Sequence, residues 1–125
     1  MSIEKLDHYT IRTRDLEGTR RFYTEVMGLE VGPRPNFAFP GLWLYQGRSA
    51  VVHVIGVDPG GDAPNAPGTG PIDHVAFLGG DLGGMRERFQ AARVPFRERT
   101  VPTLNLRQVF LEDPNGVTIE LNFPD

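Results

Sequence analysis

The chain holds three histidines, His8, His53 and His74, all in stretches that read as strands. Imidazole nitrogen and carboxylate oxygen are good ligands for borderline divalent ions, so the question is what spacing relates these residues to one another and to an acid. The answer is an internal repeat. The stretch around His8 (LDHYTIRTRDLEGTRRFY) matches that around His74 (IDHVAFLGGDLGGMRERF) at an offset of 66. His8 then meets His74, Asp15 meets Asp81, Gly18 meets Gly84, Arg20 meets Arg86, and Tyr23 meets Phe89. The ends of the halves agree at an offset of 67, with Leu44–Ser49 over Leu111–Gly116 and His53 over Glu120. Each half thus carries one potential ligand near its start and one near its end. A lone histidine in an apolar strand is more often a hydrogen-bonded core residue than a ligand. Four such residues at equivalent repeat positions point to a single metal site. Its chemistry would be Lewis-acid polarisation of a bound oxygen.

The elements that must position these residues follow from periodicity. Residues 3–13 alternate as a strand, with Leu6, His8, Thr10 and Arg12 on one face. Asp15 is a helix N-cap. Leu16, Thr19, Phe22, Tyr23 and Val26 recur at helical spacing, and Gly28 fits the left-handed stop. Strands are expected at 30–38 and 42–46 around a Pro40-Gly41 turn, and at 50–57, where His53 shares a face with Val51 and Ile55. Residues 58–71 hold four Gly and four Pro and read as a linker. The second half repeats the plan. It has a strand at 72–78, a helix capped by Asp81 with the stripe Leu82, Met85, Phe89 and Ala92, and strands near 95–101, 106–111 and 117–122. Asp113-Pro114-Asn115-Gly116 forms the last turn. The expected fold class is α+β, one domain over 1–125 made of two β-α-β-β-β modules, 1–57 and 72–125.

Composition narrows the function classes. With no cysteine, a disulfide framework, a thiolate metal site and a Cys nucleophile are all excluded. Lys5 is the only lysine and sits at the start of the chain, which disfavours Schiff-base chemistry. The net charge of -3, without a basic cluster, disfavours nucleic acid as a partner. No apolar run approaches the roughly 18 residues of a membrane span, and MSIEKLDHY is not a signal peptide, so a cytoplasmic location is expected.

The stretches LDHYTIRTRDLEGTRRFYTEVMGLEV, IDHVAF and VFLEDPNGVTIEL, in this order and spacing, resemble the vicinal-oxygen-chelate superfamily, the glyoxalase, bleomycin-resistance and extradiol-dioxygenase group. The resemblance spans nearly the whole chain. It implies curved half-barrel sheets with outer helices, a small-molecule substrate, and a homodimer in many short members. Carried over position by position, it implies a divalent ion (Zn, Ni, Fe, Mn or Co) on His8, His74 and Glu120. His53 falls where glyoxalase I enzymes usually place a Glu, so it is either a fourth ligand or an acid–base group beside Glu120.

The leading expectation is a glyoxalase-like lyase or isomerase, with Glu120 and His53 as the proton-transfer groups. An extradiol-type dioxygenase would use His8, His74 and Glu120 as a facial triad on Fe(II). That family's signature expects a His and then a Tyr before the last strand, and this region has no His and carries Phe110 instead. A metal-free binding protein of the bleomycin-resistance kind is the third expectation, and retention of all four candidate ligands weighs against it. Substrate contacts are expected from Arg12, which shares a face with His8, and from Arg107, on a strand that would border the cavity. Phe37, Phe39, Trp43 and Tyr45 read as an aromatic strand pair, of which Phe39 and Trp43 would form an apolar substrate wall.

Overall fold

The structure, a computed structural model, describes residues 4–58 and 69–124. The chain divides into two compact units, Met1–Pro64 and Asn65–Asp125. Most of the expected linker at 58–71 lies outside the described residues.

The first unit runs β1 (Tyr9–Thr13), α1 (Leu16–Arg21), β2 (Glu30–Gly32), β3 (Gly41–Gln46) and β4 (Ser49–Gly56). Its sheet has the order β1-β4-β3-β2, with β1 parallel to β4 and the other pairs antiparallel. The second unit runs β5 (Val75–Leu78), α2 (Leu82–Ala91), β6 (Arg97–Val101), β7 (Leu106–Glu112) and β8 (Thr118–Pro124). Its order is β5-β8-β7-β6, with β5 parallel to β8. The internal repeat of the sequence is therefore a repeat of topology. No helix among the described residues is long and apolar enough to cross a membrane.

Strand alternation gives each sheet one core face. In the first unit Ile11, Leu42, Leu44, Val52 and Val54 are buried together with Phe22, Tyr23 and Val26 of the helical segment. In the second, Val109, Leu111, Ile119, Leu121 and Phe123 are buried with Phe89 of α2. The residues between them in sequence occupy the opposite face, and these include His53 and Glu120.

The helix starts follow the sequence expectation. Asp15 Oδ1 accepts from Gly18 N at 2.9 Å, and Asp81 Oδ1 accepts from Gly84 N at 3.1 Å. Gly18 and Gly84, equivalent in the repeat, leave room for these carboxylates: a Cβ there would fall 2.1 Å from Asp15 Oδ2 and 2.3 Å from Asp81 Oδ2. Removing the cap with Asp15→Ala should cost about 1 kcal/mol, read as a lower urea midpoint with an unchanged slope. Asp113 closes the last turn by accepting from Asn115 N and Val117 N, both at 2.8 Å.

Several expectations need correction. β1 begins at Tyr9 and β5 at Val75, so His8 and His74 each stand one residue before a strand. The strand expected over 30–38 ends at Gly32, because Pro33 and Pro35 have no N–H to continue the ladder. Phe37 and Phe39 consequently lie in a loop, not in a strand pair. The first helix widens into a π-helical turn over Phe22–Val26, and the chain then turns at Gly28, with φ of 81°. In α2 only Phe89 is buried, and Ala92 is exposed.

Candidate functional site

The polar face of the second sheet carries a connected set of side chains. Ala76 pairs with Glu120, and Glu120 with Phe110, so the Glu120 face also holds Asn122, Gln108 and Phe110. His74, just ahead of β5, brings Nε2 to 3.6 Å from Glu120 Oε1. Two ligands on a tetrahedral ion, each about 2.1 Å from it, stand roughly 3.4 Å apart. The gap therefore has the size that one shared ion needs. The far sides of both groups are held. His74 Nδ1 lies 2.8 Å from Asp73 Oδ1, and Glu120 Oε2 accepts from Asn122 Nδ2 at 2.9 Å. A carboxylate on the remote ring nitrogen is the usual support of a metal-binding histidine, since it fixes the tautomer and aims the other nitrogen.

The first unit shows the same support. His8 Nδ1 lies 2.6 Å from Asp7 Oδ2. Asp7 and Asp73 are themselves repeat-equivalent, and the shared Asp-His dipeptide in the two matched stretches is the signal that would have found them. The His8 hydrogen bond holds the Asp7 carboxyl below its usual range. His53 lies opposite Thr10 and Trp43 in the sheet register. Its ring is stacked between His8, at 3.6 Å between centroids, and Trp43, at 3.8 Å. Both ring faces are covered, which leaves the in-plane nitrogens for chemistry.

These environments separate the histidines. Burial, and then the neighbouring His8, push the His53 pKa down, while the backbone of Ala50 and Asp7 pull the other way. The hydrogen bond from Asp73 raises the His74 pKa, with Glu120 adding to the effect. In chelator-treated protein His74 should keep its proton to a higher pH than His53, with the ordinary value of 6.5 between them. A titration of the imidazole Cε1–H signals checks this order, and the reverse order would refute it. With a lowered folded-state pKa, the His53 contribution to stability is present above about 6.5 and is lost as pH falls.

The other expected contacts divide. Arg12 is exposed on β1 and shares the face of Thr10 and His53. Trp43 is committed to stacking on His53. Phe39 stacks on Phe37 at 4.8 Å, and Arg34 lies over both rings and donates to the Phe39 carbonyl at 2.7 Å. Arg107 pairs across the sheet with Thr100 and with the core residue Phe123, so it lies on the face opposite Glu120. There it lowers the Glu98 pKa as a lesser partner to Arg86, whose two donors reach Glu98 at 2.7 Å. The arginines that do share the Glu120 face are Arg97 and Arg99, which cross-pair with Phe110 and Gln108. Their period-two spacing on the strand expected at 95–101 is the signal that identifies them.

Each unit thus gathers two candidate donors, and no group of three or more His, Cys, Asp or Glu side chains stands together at ligand spacing among the described residues. The donor chemistry, imidazole nitrogens and a carboxylate, with the remote atoms of His8, His74 and Glu120 held, fits a divalent ion.

Comparison with known proteins gives a consistent result. The family described as the Glyoxalase/Bleomycin resistance protein/Dioxygenase superfamily matches residues 5–121. A curated relative, "Glyoxylase I 4" of Arabidopsis thaliana, is 23% identical over 97% of this chain and 71% of its own length. A glyoxylase/bleomycin resistance protein/dioxygenase domain from Frankia superposes with a TM-score of 0.79 at 19% identity, covering 99% of this chain and 94% of that one. The fosfomycin resistance protein FosX of Listeria monocytogenes superposes with a TM-score of 0.74 at 19% identity, covering 98% and 95%.

Proposed function

The chain belongs to the Glyoxalase/Bleomycin resistance protein/Dioxygenase superfamily, and on that premise we propose that it is a divalent-metal-dependent, glyoxalase-like lyase or isomerase acting on a small substrate with vicinal oxygens. The observation that carries this reading is the His74–Glu120 pair, 3.6 Å apart with both remote atoms held. His8, His74 and Glu120 would supply ligands to the ion, with His53 as the acid–base group. When bound, such an ion polarises the chelated oxygens and lowers the cost of removing a proton beside a carbonyl.

The chain's own groups do the remaining work. Asp7 and Asp73 fix the histidine tautomers. Asn122 pins Glu120 Oε2, so that Oε1 is the atom left to face the ion beside His74. Burial favours the neutral form of His53, the form that can accept a proton at a ring nitrogen. Glu120 is the carboxylate of the set that can share that proton. The protein would act in the cytoplasm as a homodimer, the state common among short relatives, with nucleic acid and membranes playing no part.

The test loads chelator-stripped protein with Zn, Ni, Co, Mn or Fe(II) in separate arms. Hemithioacetals are assayed for solvent-deuterium incorporation at the carbon beside the carbonyl, and catechols for O₂ uptake. Metal-dependent deuterium incorporation that is reduced in His53→Ala is expected. O₂ uptake restricted to the Fe(II) arm would replace this reading with ring cleavage. Neither activity, with tight binding of a small aromatic compound, would replace it with a binding protein.

A further inference from the structure

A file of side chains crosses the second sheet from β6 to β8 and ends at Glu120. Arg99 Nε donates to Gln108 Oε1 at 2.6 Å, Gln108 Nε2 donates to Asn122 Oδ1 at 3.0 Å, and Asn122 Nδ2 donates to Glu120 Oε2 at 2.9 Å. Its direction is fixed chemically. A guanidinium can only donate and a carboxylate can only accept, so neither amide between them can turn over without breaking two bonds. Gln108 is 8% exposed, and that burial makes the file costly to break.

At the start of the file two cations sit side by side. The Arg99 guanidinium lies 5.3 Å from the Phe110 ring centroid, and that of Arg97 lies 5.8 Å from the same centroid. Neither forms an ion pair with an acid among the described residues, although the nearby Arg86 and Glu98 do so on the other face. Two guanidiniums over one ring repel each other, and an anion placed between them removes that repulsion. Arg99 Nε is committed to Gln108, which leaves its terminal nitrogens as the donors for a ligand. Beside them a groove of about 460 Å³ is lined by Phe96, Arg97, Phe110, Glu112 and Thr118. Glu112 is at the far end, two residues along β7 from Phe110, while Arg99 sits opposite Gln108 on the other side.

We propose that Arg97 and Arg99 recognise a carboxylate on the substrate, so that the substrate is a small planar organic acid. This rests on the proposed function for the substrate's other end, which would meet the Glu120 side of the same face. From Arg97 to Glu120 is two strand spacings, about 10 Å, the span of a small aromatic acid. A planar carboxylate matches the paired N–H donors of a guanidinium, and Phe110 offers an apolar ring beside the two cations.

The experiment is a ¹H–¹⁵N NMR titration of the full chain with benzoate, and with benzamide as its uncharged analogue. It is repeated on the Arg97→Gln/Arg99→Gln double variant. Benzoate should shift the Arg97 and Arg99 Nε–H signals and the Gln108 side-chain amide saturably. Benzamide should not, and the double variant should bind benzoate at least tenfold more weakly while keeping the wild-type spectrum elsewhere. Saturable shifts centred elsewhere, equal response to benzamide, equal binding by the variant, or no shifts at all would each overturn the proposal. Metal content is measured on the same samples. A chain that binds benzoate at these arginines but takes up no metal would sink the proposed function and leave this inference standing.

Discussion

Glu120→Gln should lower the affinity for a divalent ion by more than about 100-fold, since loss of a ligand exceeds the 10–100-fold cost of losing a ligand's support. Turnover should fall by a factor on the order of 10² to 10⁴, the usual contribution of a positioned proton-transfer group. The fold should survive, because Ile119 and Leu121 on either side supply the core contacts and Glu120 faces the other way. Asn122→Ala, which frees Oε2 without removing the carboxylate, should weaken metal binding by only about 10–100-fold. Competition against a chromophoric chelator measures both. Unchanged affinity in Glu120→Gln would mean that His74 and Glu120 face each other for some other reason, such as a simple ion pair.

Tyr23→Ala and Phe89→Ala should each cost about 3–5 kcal/mol of stability, the range for deleting a buried aromatic ring. The two residues are equivalent in the repeat, and both are 0% exposed. Phe89 is the larger test. It is the one fully buried residue of α2, and its ring meets Phe96 at 5.1 Å between centroids. Urea denaturation followed by circular dichroism checks the cost. The folded fraction should retain wild-type metal affinity, because neither ring lies on the histidine or Glu120 face. A loss below about 1 kcal/mol would show that α2 is not held to its sheet through Phe89.

The repeat makes much of the architecture legible in the sequence. Matching His8 with His74 and His53 with Glu120 carries an element order, and both sheets indeed share one strand order. The N-caps Asp15 and Asp81 were legible because their chemistry is local. Strand lengths were less so. Phe37 and Phe39 alternate as a strand would, but Pro33 and Pro35 remove the donors that a strand there would need.

The sequence expectation for Arg107 rests on its strand and not on its face. Counting in twos along β7 from Phe110, the partner of Glu120, gives Gln108 and leaves Arg107 on the other side. The period-two spacing of Arg97 and Arg99 puts them on one strand face, and the register of β6 against β7 makes that the Glu120 face. The Asp7-His8 and Asp73-His74 pairs were in plain view, but an aspartate gains meaning there only when its carboxylate is seen on the remote ring nitrogen. The stacking of His53 between His8 and Trp43 joins three positions distant in sequence, and no local pattern encodes it.

The most direct test of the central claim is the metal content of untagged, purified protein by plasma mass spectrometry. About one divalent ion per chain, lost in both His74→Ala and Glu120→Ala, is the expected result. Protein that contains none and takes up none when offered Zn, Ni, Co, Mn or Fe(II) would contradict it.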